Sequence, residues 1–330
     1  MTSALHQNVR RTIRRHALCP PGSRVLVGLS GGSDSVALTF LLRELALHGD
    51  FEVAALAHFN HQLRPSAARD ETFCRDLAAR LGAGILIESA DVKSYAQQTR
   101  RSIEDAARIL RYEFLERAAA QSGAGQIAVG HTQDDQAETF LMKLMRGAGL
   151  TGLAGIYPRR GRIVRPLLDV TRAELRSYLE GKGERWMDDE TNEDLDNPRN
   201  RVRHRVIPEL DRAAGGTTRP NIARAAALIR EDGQWLDEQA FEWAGRLVVQ
   251  TEGGLELDAQ ALAGAPPPIR RRVVLEAMRR SAPEREIGQD HVEAVMAMLA
   301  GAQGAVDVPG SRVELRRGKL VLLQQKPVVR

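Results

Sequence analysis

Along the first 150 residues, apolar positions alternate between short continuous runs and longer runs with helical spacing. The segment Arg24-Val-Leu-Val-Gly-Leu29 reads as a buried strand by its length and β-branching. From Val36 to Leu47 the apolar positions are Val36, Leu38, Phe40, Leu41, Leu42 and Leu45, a helical pattern. The alternation repeats: strand Val53 to Phe59, helix Ser66 to Leu81, strand Ile85 to Ile87, helix Ser102 to Ala120, strand Ile127 to Val129, helix Asp134 to Met145. This order predicts an α/β domain, a doubly wound parallel sheet with helices on both faces. Ligands in such sheets sit beyond the C-terminal ends of the strands. Polar clusters stand there: Ser30 to Ser35 after the first strand, His58 to His61 after the second, Gly130 to Asp135 after the fourth.

Beyond Pro158 the pattern is less regular. An acidic stretch (Asp188, Asp189, Glu190, Glu193, Asp194, Asp196) precedes an arginine-rich one (Arg199, Arg201, Arg203, Arg205). Gly215-Gly-Thr-Thr-Arg-Pro220 reads as a boundary or a loop. The expected division is a catalytic domain over 1–212 and a smaller, mostly helical domain over 213–330. The latter begins with a helix over Asn221 to Val249. It ends in a β-hairpin, Arg312 to Leu315 and Leu320 to Leu323, with Gly318 in the turn.

Composition narrows the class. Hydrophobic residues are 43% and charged residues 27%, so the chain can bury a core and is not a disordered or collagenous one. No apolar run reaches membrane-span length, and the arginine-rich start lacks a leader's apolar segment; the expectation is a cytoplasmic protein with no membrane partner. Net charge is +4, carried almost wholly by arginine, since the lysines are Lys93, Lys143, Lys182, Lys319 and Lys326. That balance permits nucleic-acid binding without indicating it. Cys19 and Cys74, far apart and outside any Cys-x-x-Cys, read as buried small apolar residues.

Ser30-Gly-Gly-Ser-Asp-Ser35 links a buried strand to a helix. Gly31 and Gly32 allow close backbone approach, Ser30, Ser33 and Ser35 offer hydroxyls, and the helix start offers N–H groups. It is neither a Walker A loop nor Gly-x-Gly-x-x-Gly. Asp34 inside a phosphate cradle calls for a cation, hence Mg²⁺. The plainer alternative is a tight turn with Ser33 or Asp34 as N-cap.

Asp134 and Asp135 would hold a metal or orient an amine, or simply favour a helix start. Glu138 shares their helix face, or salt-bridges outward. Arg108 has Glu104 and Asp105 at ion-pair spacing. Arg111 has no intrahelical acid and is the better ligand candidate. His58 and His131, at strand ends, either border the cleft or are satisfied structural residues. Arg199, Arg201, Arg203 and Arg205 line one face if extended and spread if helical; a solvated face answering the acidic run is the plain reading.

Ser-Gly-Gly-x-Asp-Ser after a first strand resembles the pyrophosphate loop of the N-type ATP pyrophosphatases. The further motifs, in order, are His58-Phe-Asn-His-Gln-Leu-Arg64 with Ser66, Asp70 and Phe73-Cys74; Glu104 to Phe114; Gly130 to Thr139; Asp189-Glu-Thr-Asn192; and Arg199-Asn-Arg-Val-Arg203 with Pro208. Together they resemble the tRNA(Ile)-lysidine synthetases over about the first 210 residues. Thr132 stands where a second His is common and Thr191 where Ser is common.

The resemblance implies ATP and Mg²⁺. ATP adenylylates O2 of the wobble cytidine of the tRNA(Ile) with anticodon CAU. Free L-lysine then attacks C2 and expels AMP, so that AUA is read in place of AUG. It implies ATP contacts by Ser30, Gly31, Gly32, Ser33, Asp34, Ser35 and His58, and a metal on Asp34 and Asp135. It implies catalytic roles for Asp34, Arg108, Arg111, Asp134 and Asp135, and substrate or tRNA contacts by Arg108, Arg111, His131, Glu138, Arg199 and Arg203, with Asn200 structural. It permits a homodimer and gives the C-terminal domain a tRNA-docking role. Longer family members carry a further C-terminal module, and a chain without one is expected here.

Aromatic residues are 4%, too few for a many-base stacking platform, though one splayed base needs little more than one contact. A thiolating relative would need a Cys pair or Fe–S cluster, which Cys19 and Cys74 do not suggest. A nucleotide-binding protein without catalysis would lack the distal Asp and Arg set. An amidotransferase would need a glutamine-hydrolysing domain.

Overall fold

The structure, a computed structural model, describes residues 3–63, 67–188, 194–283, 285, 287–301 and 304–324. Arg64, Ser66 and the Asp189 to Asn192 motif lie outside the described residues. The chain forms two compact units, Met1–Leu228 and Ile229–Arg330.

The first unit opens with α1 (Ala4–Arg15), β1 (Ser23–Gly28), α2 (Ser33–Ala46), β2 (Phe51–Asn60), α3 (Ala67–Arg80) and β3 (Ile85–Ser89). There follow α4 (Val92–Thr99), α5 (Ile103–Ser122), β4 (Gln126–Ala128), α6 (Gln133–Leu144) and α7 (Leu150–Leu153). Then come β5 (Arg159–Arg160), β6 (Ile163–Val164), α8 (Arg172–Gly181), α9 (Pro198–Arg201), α10 (Ile207–Ala213) and the start of α11 (Thr218–Leu247).

Strand order is β3-β2-β1-β4-β6-β5, parallel except for the terminal β5–β6 pair. Successive β1 side chains go to opposite faces. Val25 and Val27 join a core with Leu41 and Leu42 of α2, Leu77 of α3 and Leu175 and Leu179 of α8. Leu26 joins Ala96 of α4 and Phe114, Leu115 and Ala118 of α5 on the other face. This sorting explains why the strands read as continuous apolar runs.

The doubly wound parallel reading holds, with an antiparallel edge added to it. Strands β5 and β6 are two residues each, too short to leave a periodic signal. Helices α1, α4 and α8 were also not foreseen. In α1 the arginines drew the reading, while Val9, Thr12 and Ile13 form the buried stripe between them.

The chain crosses from β3 to the far side of β1 when it enters β4, so β1 and β4 flank the point where strand order reverses. Crevices open at such points, at the strand C-termini.

The arginine-rich run is helical, not extended: α9 passes through a π turn over Val202–Val206 into α10. Pro208 has no N–H to give the preceding turn, which favours the wider turn. Val202 and Ile207 pack with Ala137 and Leu141 of α6, fixing this run against that helix.

The second unit carries β7 (Val248–Thr251), β8 (Gly254–Asp258), α12 (Ala259–Ala263), α13 (Pro267–Ser281), α14 (Gln289–Leu299), β9 (Ala305–Val308), β10 (Ser311–Arg316) and β11 (Lys319–Gln324). Its strands form an antiparallel sheet in the order β7-β8-β11-β10-β9, and the expected hairpin is the β10–β11 pair inside it. Arg317 and Gly318 both have positive φ (48° and 78°), the turn that suits the twist of a tight hairpin. Gly254 is obligatory, because a Cβ there would lie 2.0 Å from the Leu322 carbonyl oxygen. Val273 and Ala277 of α13, Val295 and Met298 of α14 and Leu255, Val313 and Leu320 of the sheet close the core.

Candidate active site

The loop Ser30–Ser35 leaves β1 beside the end of β4. Gly31 has φ +91°, a left-handed conformation that favours glycine, while a Cβ there would make only ordinary contact with Cys74, Phe73 and Met187. The Met187 amide donates to the Gly31 carbonyl at 2.9 Å. Ser35 Oγ is used inside the loop: it accepts from Ser30 N and Ser30 Oγ and donates to the Gly32 carbonyl. Neither Ser33 nor Asp34 caps α2. The N-cap is Gly32, with no side-chain cap, which leaves the helix start open to an anion. Gly130, leaving β4, runs against this loop, since a Cβ on it would sit 3.2 Å from the Asp34 carbonyl carbon and Ser35 nitrogen.

A cleft of about 890 Å³ opens here. Among its walls are Ser30, Gly32, Ser33, Asp34, Ser35, His58, Arg111, His131, Asp134, Asp135, Arg172, Arg203 and Arg219. Strand ends and helix starts distant in sequence therefore meet in one place, of a size suited to a nucleotide. Arg108, Glu138 and Arg199 are not on the wall, and neither is Gly31, whose part is to shape the loop.

The carboxylates are matched by guanidiniums. Arg172 Nε donates to Asp34 Oδ2 at 3.0 Å and its Nη2 to Asp135 Oδ1 at 3.2 Å. Its backbone amide donates to Asp134 Oδ2 at 2.8 Å. Arg199 bridges Asp135 Oδ1 (3.0 Å) and Glu138 Oε2 (2.7 Å). Arg203 forks onto Glu138 at 2.6 and 3.2 Å. Arg219 joins Asp134 (2.9 Å) to Asp211. Thr132 caps α6 reciprocally with Asp135, whose Oδ2 accepts from the Thr132 amide and hydroxyl. The Thr132 hydroxyl thus both caps the helix and holds Asp135 in place.

Burial would raise the Asp135 pKa, but the guanidiniums of Arg172 and Arg199 and the hydrogen bond from the Thr132 amide outweigh it and hold that carboxyl at about 2. Asp34 goes the other way, because burial outweighs the help of Arg172. His131 is pushed down to about 3 by burial, and Arg165 Nε lies 3.3 Å from its Nδ1. That ring is neutral at pH 7, with Nδ1 accepting. Burial lowers the His58 pKa too, and its Nδ1 donates to the Leu29 carbonyl at 2.9 Å, tying β2 to the start of the loop.

Arg108 makes no ion pair with Glu104 or Asp105, contrary to the helical-pair reading. Asp105 turns back to Arg101 at 2.9 Å, and Arg108 is exposed. Arg111 has no carboxylate within ion-pair distance among the described residues and faces the cleft. Arg172 and Arg219 were not anticipated. The signal for α8 was present, in Thr171-x-x-Glu174 as a capping box ahead of Leu175, Tyr178 and Leu179. Cys19 and Cys74 are buried, and desolvation pushes both thiols up to about 12, so neither offers a thiolate.

Comparison with known proteins agrees with this geometry. The family described as "PP-loop domain" matches residues 1–210, and the "TilS substrate binding domain" matches residues 257–321. The U34-tRNA thiolase NcsA of Methanococcus maripaludis, with its [4Fe-4S] cluster, shares the fold: TM-score 0.56 at 17% identity, covering 68% of this chain and 78% of that one. Loop, sheet and cleft define an ATP-binding enzyme of the PP-loop class.

The tRNA(Ile)-lysidine synthase of Leifsonia xyli is 36% identical over 93% of this chain and 91% of its own length. That of Geobacter sulfurreducens is 38% identical over 88% of this chain, which spans 62% of that longer relative. That of Symbiobacterium thermophilum is 36% identical over 98% of this chain and 70% of its own. The chain belongs to the tRNA(Ile)-lysidine synthase family, ligases that modify tRNA.

Proposed function

We propose that this chain joins free lysine to C2 of the wobble cytidine of tRNA(Ile) with anticodon CAU, in two steps. First, O2 of the base attacks the α-phosphorus of ATP, the α–β bridge breaks, and pyrophosphate leaves. Then the lysine amine attacks C2, the C2–O2 bond breaks, and AMP leaves with that oxygen. The amine gives up a proton in forming the new C–N bond. The observation that carries the reading is that the uncapped start of α2, the Asp134–Asp135 pair and Arg111, which has no carboxylate partner among the described residues, all face one cleft.

The open N–H groups at the Gly32–Asp34 turn bind the phosphates. Arg111 steadies the base and the negative charge that develops on the transferred phosphate. Asp134 and Asp135 orient the incoming ammonium. Glu138, behind the wall, is a positioning residue that sets the heads of Arg199 and Arg203.

The donor set suits Mg²⁺, since Asp34 and Asp135 are hard oxygen donors from two helices that already share one cation, Arg172. When bound, Mg²⁺ would neutralise phosphate charge between those carboxylates. Among the described residues no helix is long and apolar enough to cross a membrane, and a tRNA substrate supports a cytoplasmic location.

The deciding experiment is ATP-dependent incorporation of labelled lysine into unmodified tRNA(Ile) with anticodon CAU, with the methionine tRNA of the same anticodon alongside. Incorporation into the first alone is expected. Pyrophosphate release without lysine incorporation would keep the activation step and reject the nucleophile. Arg111→Ala is expected to slow adenylylation at least about a hundredfold, as loss of a charge-stabilising donor does. Arg108→Ala, a change on the solvated face, is expected to alter it less than about threefold. Equal effects in single-turnover assays would reject the assignment of Arg111.

A further inference from the structure

Asp34 and Asp135 each have one oxygen committed locally. Asp34 Oδ1 accepts from Ser33 Oγ, and Asp135 Oδ2 accepts from Thr132. The other two oxygens, Asp34 Oδ2 and Asp135 Oδ1, both accept from Arg172, through its Nε and Nη2; Asp135 Oδ1 accepts from Arg199 as well, at 3.0 Å, whereas Asp34 Oδ2 has Arg172 as its cation. These are the oxygens through which a divalent cation would be held. A guanidinium and a divalent cation cannot share that position, because two positive centres a few ångströms apart repel strongly. The acids Asp34, Asp134, Asp135, Glu138 and Asp211 each have at least one partner among Arg172, Arg199, Arg203 and Arg219, so each carboxylate of the cluster already meets a guanidinium.

We propose that Arg172 is the resident counter-cation of the cleft, holding the divalent-cation position shut until a nucleotide arrives. The backbone of Arg172 is anchored on Asp134 Oδ2, so only its side chain has to leave. The far end of α8 is anchored as well, where Tyr178 donates to Glu44 of α2 at 2.8 Å. The exchange is therefore local. Once the Arg172 guanidinium gives them up, Asp34 Oδ2 and Asp135 Oδ1 would be the protein oxygens that hold a divalent cation brought with the phosphates. This deepens the function proposed above and rests on its ATP reading.

The test is Mn²⁺ titration of the full chain by electron paramagnetic resonance, with and without an α,β-methylene analogue of ATP. Wild type is expected to bind Mn²⁺ weakly without the analogue. Arg172→Gln is expected to bind it at least about tenfold tighter under the same conditions, and MgCl2 is expected to raise the Tm of that variant but not of wild type. If Arg172→Gln does not fold, Arg172→Lys is used. One ammonium does not fork onto two carboxylates, so a gain of at least about threefold is expected there. Equal Mn²⁺ affinity in variant and wild type overturns the proposal, as does tight binding by wild type without nucleotide. If wild type takes the analogue with Mn²⁺ while the variant gains nothing, the resident-cation role fails and the ATP reading stands. If wild type takes no analogue at all, the ATP reading fails, and the variant's Mn²⁺ affinity still decides the role of Arg172.

Discussion

Asp34→Ala is expected to reduce tRNA-dependent pyrophosphate release at least about a hundredfold, with a change in stability under about 1 kcal/mol. The two halves of that expectation have one source. On the proposed reading Asp34 is the carboxylate of the phosphate loop, so its loss would remove the group proposed to bring a cation to the phosphates. It is also held at a cost: burial raises its pKa more than Arg172 lowers it. Removing a carboxylate that the fold disfavours destabilises little, and Arg172 keeps Asp135 as a partner at 3.2 Å. Pyrophosphate release and thermal unfolding of the same preparation check both. Full activity would remove the loop from the chemistry, and a collapse of the fold would make Asp34 structural.

Glu138→Ala is expected to give the opposite profile, a loss of about 3–5 kcal/mol, or a Tm lower by roughly 10 °C. The Glu138 side chain is 1% exposed and takes bonds from Arg199 and Arg203, themselves 30% and 19% exposed. Truncating it removes, in a part-buried place, the carboxylate that Arg203 forks onto and one of the two that Arg199 bridges, which is costlier than the small net worth of the pairs. Activity would fall with it, because Arg203 on the cleft wall loses its seat. Thermal melts read the stability, and a loss below 1 kcal/mol would mean that water already reaches the cluster.

The sheet was legible because buried parallel strands are continuous apolar runs and their helices carry an apolar stripe. The residues that meet in the cleft were legible for a related reason: Ser30–Ser35, His131 and Asp134–Asp135 follow strand ends, and His58 lies in the last residues of β2. Arg172 and Arg219 were not, because their meaning lies in partners 138 and 85 residues away. Local spacing misled at Arg108, since a helix offers several partners and Asp105 chose Arg101. In the second unit, Val248–Thr251 follows α11 with no turn residue between, so strand β7 read as more helix.

Every basic side chain on the cleft wall, apart from histidine, is an arginine. For a catalyst of the proposed reaction this is a matter of self-protection. The activated cytidine is an electrophile awaiting a primary amine, and a lysine on the wall would be one, held permanently at hand. Its attack would fuse the RNA to the protein and end the life of both. A guanidinium supplies the same charge, stays protonated, and is a poor nucleophile. The protein can thus surround a reactive base with positive charge and still leave the only competent amine to the substrate.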